Sequence, residues 1–260
     1  MIDTHAHLDL PDFAGDLEAA LERAAEAGVT RIVTVGMDLP SSRNAVELAA
    51  RFPCVYAAVG FHPHEAAKFD EAALAELDEL SRRPKVVAIG EIGLDYHRNR
   101  SPQPAQRQAF QRQLELAAAR RLPVIVHSRD ALDDTWVVLS AWARNGEARV
   151  GGVGVVHCFS GTVDAAREYG RLGLLVSLAG PITYANAGRA VAVARETPLE
   201  LLVVETDCPF LAPVPYRGRR SEPAHVRLTV EKIARVRGEP PELVAAQTAH
   251  NAERLFRFPA

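Results

Sequence analysis

Short runs of β-branched and other apolar residues recur along the chain, separated by longer stretches whose apolar positions repeat at helical spacing. The runs that read as strands cover residues 2–7, 31–35, 55–59, 86–89, 124–127, 153–157, 174–177 and 201–205. Between them, residues 17–27 place Leu17, Ala20, Leu21 and Ala24 on one helical face and stop at Gly28. Residues 105–121 do the same with Phe110, Leu114 and Ala117. Eight strands joined by helical crossovers predict an α/β architecture, a parallel sheet closed into a (β/α)8 TIM barrel. A doubly wound sheet would carry a glycine-rich turn after its first strand, where this chain has HAHLD. No composition break, repeat or linker divides the sequence, so residues 1–260 are expected to form a single domain.

Composition narrows the function. The chain is 48% hydrophobic, enough to bury a large core. With 30 basic and 33 acidic residues its net charge is −3, which argues against a broad basic face coating nucleic acid but leaves room for a local phosphate site. Cys54, Cys158 and Cys208 are odd in number and form no CxxC pair, so neither a disulfide framework nor a zinc ribbon is expected. No basic segment precedes an apolar run at the start, and no stretch approaches the roughly 20 apolar residues of a membrane helix. The expected setting is a reducing cytoplasm, with no membrane and no obligate protein partner.

The chemistry collects where the strands end, the end of such a barrel that carries active sites. The first strand ends in His5 and His7. The third runs into GFHPH, with His62 and His64, and the fourth into GEIGLDY, with Glu91, Asp95 and Tyr96. The fifth ends in VIVHSRD (His127, Arg129), the sixth in VVHCFSG (His157) and the last in VVETDCP (Glu205, Asp207). Seven of the nine histidines lie at strand ends or in the loops beside them, a sorting that core histidines would not show. Residues two apart in a strand share a face, so His5 and His7 can both point inward and share one metal ion. HxH by itself is weak, and two histidines satisfied by polar neighbours fit it equally well; the other strand-end residues tip the balance. Asp3, one layer deeper, is expected to orient a ligand imidazole.

The segments IDTHAHLDL, VGFHPHE, IGEIGLDY, PVIVHSRDALDD, VHCFSG, ETDCPFL, YRGRRSEPAHV and NAERLF resemble, in order and over the whole chain, the TatD-family metal-dependent deoxyribonucleases, a group of amidohydrolase-type barrels. The resemblance implies two divalent ions. His5, His7, Glu91 and Asp207 would hold the first; Glu91, His127 and His157 would hold the second, with Glu91 bridging. Many binuclear barrels bridge their metals with a carbamylated lysine, but no lysine stands at a strand C-terminus here. A carboxylate must do it, and Glu91 is placed for that role. Nitrogen and oxygen donors without thiolate suit Mg, Mn or Zn without choosing among them.

Two ions about 3.5–4 Å apart can activate one water and neutralise charge on the attacking and leaving oxygens of a phosphodiester. Asp207 is the candidate to orient that water and take its proton; Glu205, deeper, reads as structural. His62, nearer its strand than His64, Arg129 and the loop of Arg217, Arg219 and Arg220 are candidate phosphate contacts, although a solvated charge run explains the loop as readily. Asparagine is usual in the family where this chain has Ser221. Asp95 and Tyr96 either line the cleft or cap their loop. Trp136 and Trp142 read as helix packing, and Cys158 and Cys208 as outward-facing small hydrophobes. The expected activity is hydrolysis of DNA phosphodiesters, on single strands or 3′ ends. The alternatives are an ester or C–N hydrolase on the same scaffold, such as a D-aminoacyl-tRNA deacylase, and a non-catalytic binding module.

Overall fold

Strand pairing runs in unbroken chain order, each strand parallel to the next. In a computed structural model that describes residues 1–145 and 152–259, β1 (Ile2–Ala6), β2 (Arg31–Val35), β3 (Val55–Val59), β4 (Val86–Asp95), β5 (Val124–Arg129), β6 (Gly154–Val156), β7 (Leu174–Leu178) and β8 (Leu202–Val204) form one eight-stranded sheet. The ring closes just past β8. Ala6 bridges Cys208 in parallel, the His7 N–H donates to the Cys208 carbonyl (2.8 Å) and the Asp207 N–H to the His5 carbonyl (2.9 Å). The closing bonds thus lie among the residues expected to carry the chemistry. This is the (β/α)8 barrel that the alternation predicts.

The largest departure from the sequence pattern is β4, which runs six residues beyond Ile89, through Asp95. Gly90 and Gly93 interrupt the apolar run, yet pairing with β5 continues from Ile92–Val126 to Asp95–Arg129. At Gly93 a Cβ would stand 2.0 Å from the His127 carbonyl oxygen, and φ is +137°, so the close approach needs glycine. Strands β6 and β8 are shorter than the predicted runs by a residue at each end, although the His157 and Glu205 N–H groups still bond the neighbouring strands at Val126 (3.0 Å) and Leu178 (3.1 Å).

Nine α-helices among the described residues surround or cap the sheet: α1 (Leu17–Glu26), α2 (Leu39–Arg51), α3 (Glu71–Leu80), α4 (Gln103–Arg120), α5 (Leu132–Asn145), α6 (Val163–Arg171), α7 (Gly188–Glu196), α8 (Val226–Arg237) and α9 (Pro241–Phe256). Alternation along the strands makes two cores. Val55, Val124, Val126, Val156 and Val204 face the helices, together with Phe110, Leu114 and Ala117 of α4. Val33, Tyr56, Val87, Ile125, Val155 and Val203 fill the interior, closed below by Ala252, Leu255 and Phe256 of α9. Each such large side chain removed from water stabilises the fold by about 1.5–3 kcal/mol. Two residues beyond Ile125, Val155 and Val203, the same inward parity reaches His127, His157 and Glu205. One alternation therefore delivers both a dry core and a polar site above it. The two tryptophans pack as expected: the Trp142 indole N–H donates to the Leu114 carbonyl (3.1 Å), and Trp136 stands edge-on to Tyr169.

Candidate metal centre

Two sets of donor atoms meet on the two oxygens of one carboxylate. On the Oε2 side of Glu91 lie His5 Nε2 (3.3 Å) and His7 Nε2 (3.8 Å), themselves 3.2 Å apart. Asp207 Oδ1 completes this set, 3.7 Å from His5 Nε2 and 3.4 Å from His7 Nε2. On the Oε1 side lie His127 Nδ1 (2.7 Å) and His157 Nε2 (2.8 Å), 3.1 Å from each other. A four-coordinate ion with bonds of about 2.0–2.2 Å holds its ligands about 3.3–3.6 Å apart, so the first set has the spacing of a coordination shell. The second is slightly tighter, as expected of donors linked by hydrogen bonds.

In His7 and His127 the far nitrogen is held by an oxygen acceptor. His7 donates Nδ1–H to the Val35 carbonyl (3.0 Å), which leaves the Nε2 lone pair for a metal. His127 donates Nε2–H to Asp95 (3.2 Å), so Nδ1 is the nitrogen turned to Glu91 Oε1. His157 turns Nδ1 toward Glu205 Oε1, 3.4 Å away. Neither that nitrogen nor the His5 Nδ1 makes a hydrogen bond among the described residues. His62 behaves oppositely. Its Nδ1 accepts the His64 N–H (3.1 Å), so in the neutral ring the proton sits on Nε2, which points at Glu91 Oε1 from 3.5 Å. Although the ligand atoms of His62, Glu91 and His127 all lie within 4.8 Å of one another, that proton makes His62 a hydrogen-bond donor. Burial, outweighing the attraction of Glu91, pulls the ring down to about 3 and keeps it neutral.

The electrostatics call for added positive charge. Burial alone would push the Glu91 carboxyl up; the imidazoles of His157, His62 and His5 outweigh it and hold it well below its ordinary range. Conversely, burial pulls His157 down, but Glu91 and Glu205 overcome it and hold its proton well above the usual imidazole range. His7 is raised in the same way, burial being outweighed by Asp207 and Glu91. Buried carboxylates that retain protons on their neighbours will exchange them for divalent cations. The donor set, its spacing and the orientation of His7 and His127 all fit a metal site.

The pattern described as TatD related DNase matches residues 2–257. The chain belongs to that family. It is 43% identical over 258 residues to an uncharacterized metal-dependent hydrolase, YabD, of Bacillus subtilis, covering 99% of each chain. It is 37% identical over 268 residues to a protein of Erwinia billingiae named 3′-5′ ssDNA/RNA exonuclease TatD, covering 100% of both. The crystal structure of YjjV, a TatD homologue from Escherichia coli, superposes with a TM-score of 0.92 at 34% identity, over 100% of this chain and 98% of that one. This TatD-family protein is a hydrolytic enzyme.

Several strand-end residues hold the TatD-family site from behind. Glu205, fully buried, accepts the Cys158 N–H (2.7 Å) as well as facing His157, so it fixes both the imidazole and the turn that carries it. Replacing Glu205 with alanine is expected to weaken metal affinity about 10–100-fold, with glutamine restoring part of it; competition against a metal-binding dye measures this. Asp95 accepts from both His127 and His64 (2.9 Å), so it belongs to the site, whereas the Tyr96 hydroxyl bonds Asp134 and Arg107 outside it. On α4, Gln113 accepts the Phe61 N–H (2.7 Å) and Gln106 the Asp95 N–H (2.8 Å), anchoring the β3 and β4 ends. Their signal in the sequence is a glutamine on the apolar face of a helix.

Three expectations change. Asp3 hydrogen-bonds no imidazole among the described residues: it accepts the backbone N–H groups of His5 (3.3 Å) and Thr206 (2.9 Å) and the Thr206 hydroxyl (2.6 Å), tying β1 to the chain beyond β8. Burial nonetheless pushes its carboxyl up to about 8. Arg220 is committed to Asp16 (2.5 and 2.7 Å) and the Asp12 carbonyl (2.6 Å), so it clamps loops instead of meeting substrate. Of the two cysteines beside ligands, Cys208 lies in the core and Cys158 is only partly buried. Arg129 and Arg217 are both exposed at the mouth, the Arg217 guanidinium 4.5 Å from the centre of the Tyr184 ring. Ser221 is buried and 3.4 Å from His225 Nδ1. Among the described residues no helix is long and apolar enough to cross a membrane.

Proposed function

We propose that this protein hydrolyses the phosphodiester bonds of DNA, on single strands or 3′ ends, with two divalent ions, and that residues 1–260 act as one domain in the cytoplasm. The observation that carries this reading is Glu91, whose two oxygens face two separate sets of nitrogen donors with Asp207 beside one of them. His5, His7, Glu91 and Asp207 would hold one ion, and Glu91, His127 and His157 the other. Bound there, divalent ions would polarise a phosphoryl oxygen and lower the pKa of water. The chain's own side chains do the rest. Asp207 orients the attacking water and takes its proton; burial raises its carboxyl, but His7 and His5 overcome that and keep it ionised, with its lone pairs open to the water. His62 offers an Nε2–H to a substrate oxygen, and Arg129 and Arg217 meet phosphates at the rim. The name carried by the Erwinia relative supports a single-stranded nucleic acid as substrate. The three free cysteines suit a reducing compartment.

The deciding assay supplies the purified protein with Mg, Mn or Zn and end-labelled single-stranded DNA, with RNA and mischarged tRNA alongside. DNA cleavage that chelation stops is the expected result. Rapid deacylation with DNA untouched under every metal would overturn the assignment and leave the metal ligands standing. Among the rim residues, Arg217→Ala is expected to weaken binding of single-stranded DNA and reduce the salt dependence of log K by about 0.7–1 unit. Binding unchanged from low to high salt would return Arg217 to the status of a solvated loop residue.

A further inference from the structure

Phe210 stands out at the mouth of the barrel. Only four large hydrophobic side chains among the described residues are strongly exposed, and Phe210, at 50%, is the one aromatic. Its place is tied to the chemistry. The backbone after β8 turns at Asp207, in the left-handed region with φ +55°, and the Phe210 N–H closes that turn on the Asp207 carbonyl (2.9 Å). The turn that sends the Asp207 carboxylate inward thus carries the Phe210 ring to the rim. There the ring stands edge-on to the His7 imidazole, with centroids 6.0 Å apart and planes at 65°.

The segment is held firmly. The Tyr184 hydroxyl donates to the Ala212 carbonyl (2.9 Å) and the Val214 N–H to the Thr183 hydroxyl (2.9 Å). A Cβ at Gly180 would stand 2.1 Å from the Leu211 carbonyl oxygen, so glycine there lets the loops after β7 and β8 close on each other. Arg217, stacked on Tyr184, belongs to the same rim.

We propose that Phe210 is a base-stacking platform, a specificity-determining residue that recognises the nucleobase next to the phosphate held at the metal centre. The inference rests on the nucleic-acid reading above and deepens it. A single aromatic ring, half exposed and adjoining a ligand imidazole, is too small a patch for a protein partner. A nucleoside offers the matching flat face, attached to the phosphate that the centre binds. Stacking accepts every base, so the platform gives no sequence preference. It does select unpaired nucleotides, because a base inside a duplex is already stacked on both faces.

The test compares an oligothymidylate with a same-length oligomer of abasic units, which keeps the phosphates and lacks the bases. Wild type, Phe210→Ala and Phe210→Trp are assayed at saturating metal, with metal content measured for each. Phe210→Ala is expected to lower kcat/KM on oligothymidylate about 10–100-fold, chiefly through KM, and to leave the slower abasic reaction unchanged. Phe210→Trp should restore the difference. An equal loss on both oligomers, or no loss on either, would overturn the platform and leave the nuclease assignment intact. Wild type that cleaves neither oligomer would overturn the nuclease reading, and this inference with it.

Discussion

Replacing Glu91 with alanine is expected to strip metal from both donor sets at once and to lower activity at least about a thousandfold. Each set would lose a carboxylate oxygen, and Glu91 is 2% exposed, so water cannot readily supply a charged substitute. The effect should differ from that of His7→Ala, which touches only the set that includes Asp207. Elemental analysis of the purified variant distinguishes the two: Glu91→Ala should lose ions from both positions, His7→Ala from one. Full metal content in folded Glu91→Ala would exclude the bridge. Thermal unfolding in chelator belongs beside this measurement, because removing one member of a buried charged cluster can itself cost about 3–5 kcal/mol.

Asp207→Asn is expected to lower kcat about 10²–10⁴-fold at saturating metal, with little change in KM. Asparagine keeps an oxygen near the His5 and His7 nitrogens but loses the negative charge and the capacity to accept a proton. Saturating metal matters, because the same substitution weakens a ligand. A titration of activity against metal concentration separates the roles. If activity returns to the wild-type level as metal rises, Asp207 is a ligand alone; if a deficit persists at the plateau, it also handles the proton.

The residues that converge on Glu91 were legible because their physical signals are local. A strand end and a histidine or carboxylate on it can be read from a few residues, as at His5, His7, His127 and His157, and for the last two the inward parity continues from Ile125 and Val155. The supporting residues were not legible in that way. Glu205 reads from the sequence as a structural neighbour of Asp207, and its hold on His157 and Cys158 depends on β6 lying near β8. Asp3 reads as a partner for an imidazole because its parity matches that of His5. The structure instead gives its oxygens to two backbone N–H groups and a hydroxyl across the barrel seam, which a buried carboxylate requires once no cation reaches it. Arg220 shows the same limit: three arginines in one loop look equivalent until Asp16 claims one of them.

Alternation and composition by themselves determined the eight strands, the barrel, the inward face of strands such as β5, β6 and β8 and the residue types gathered at one end, since period and propensity act over a few positions. Tertiary structure decided the rest. It shifted the register of β1 before His5, extended β4 to Asp95 through pairing with β5, closed the ring at Cys208, gave the two oxygens of Glu91 to different imidazoles, oriented the rings of His7 and His127 and left Phe210 at the rim. Those outcomes depend on distances between residues far apart in the chain, and a hydrogen bond or a metal–ligand bond is sensitive to tenths of an ångström that no sequence spacing encodes.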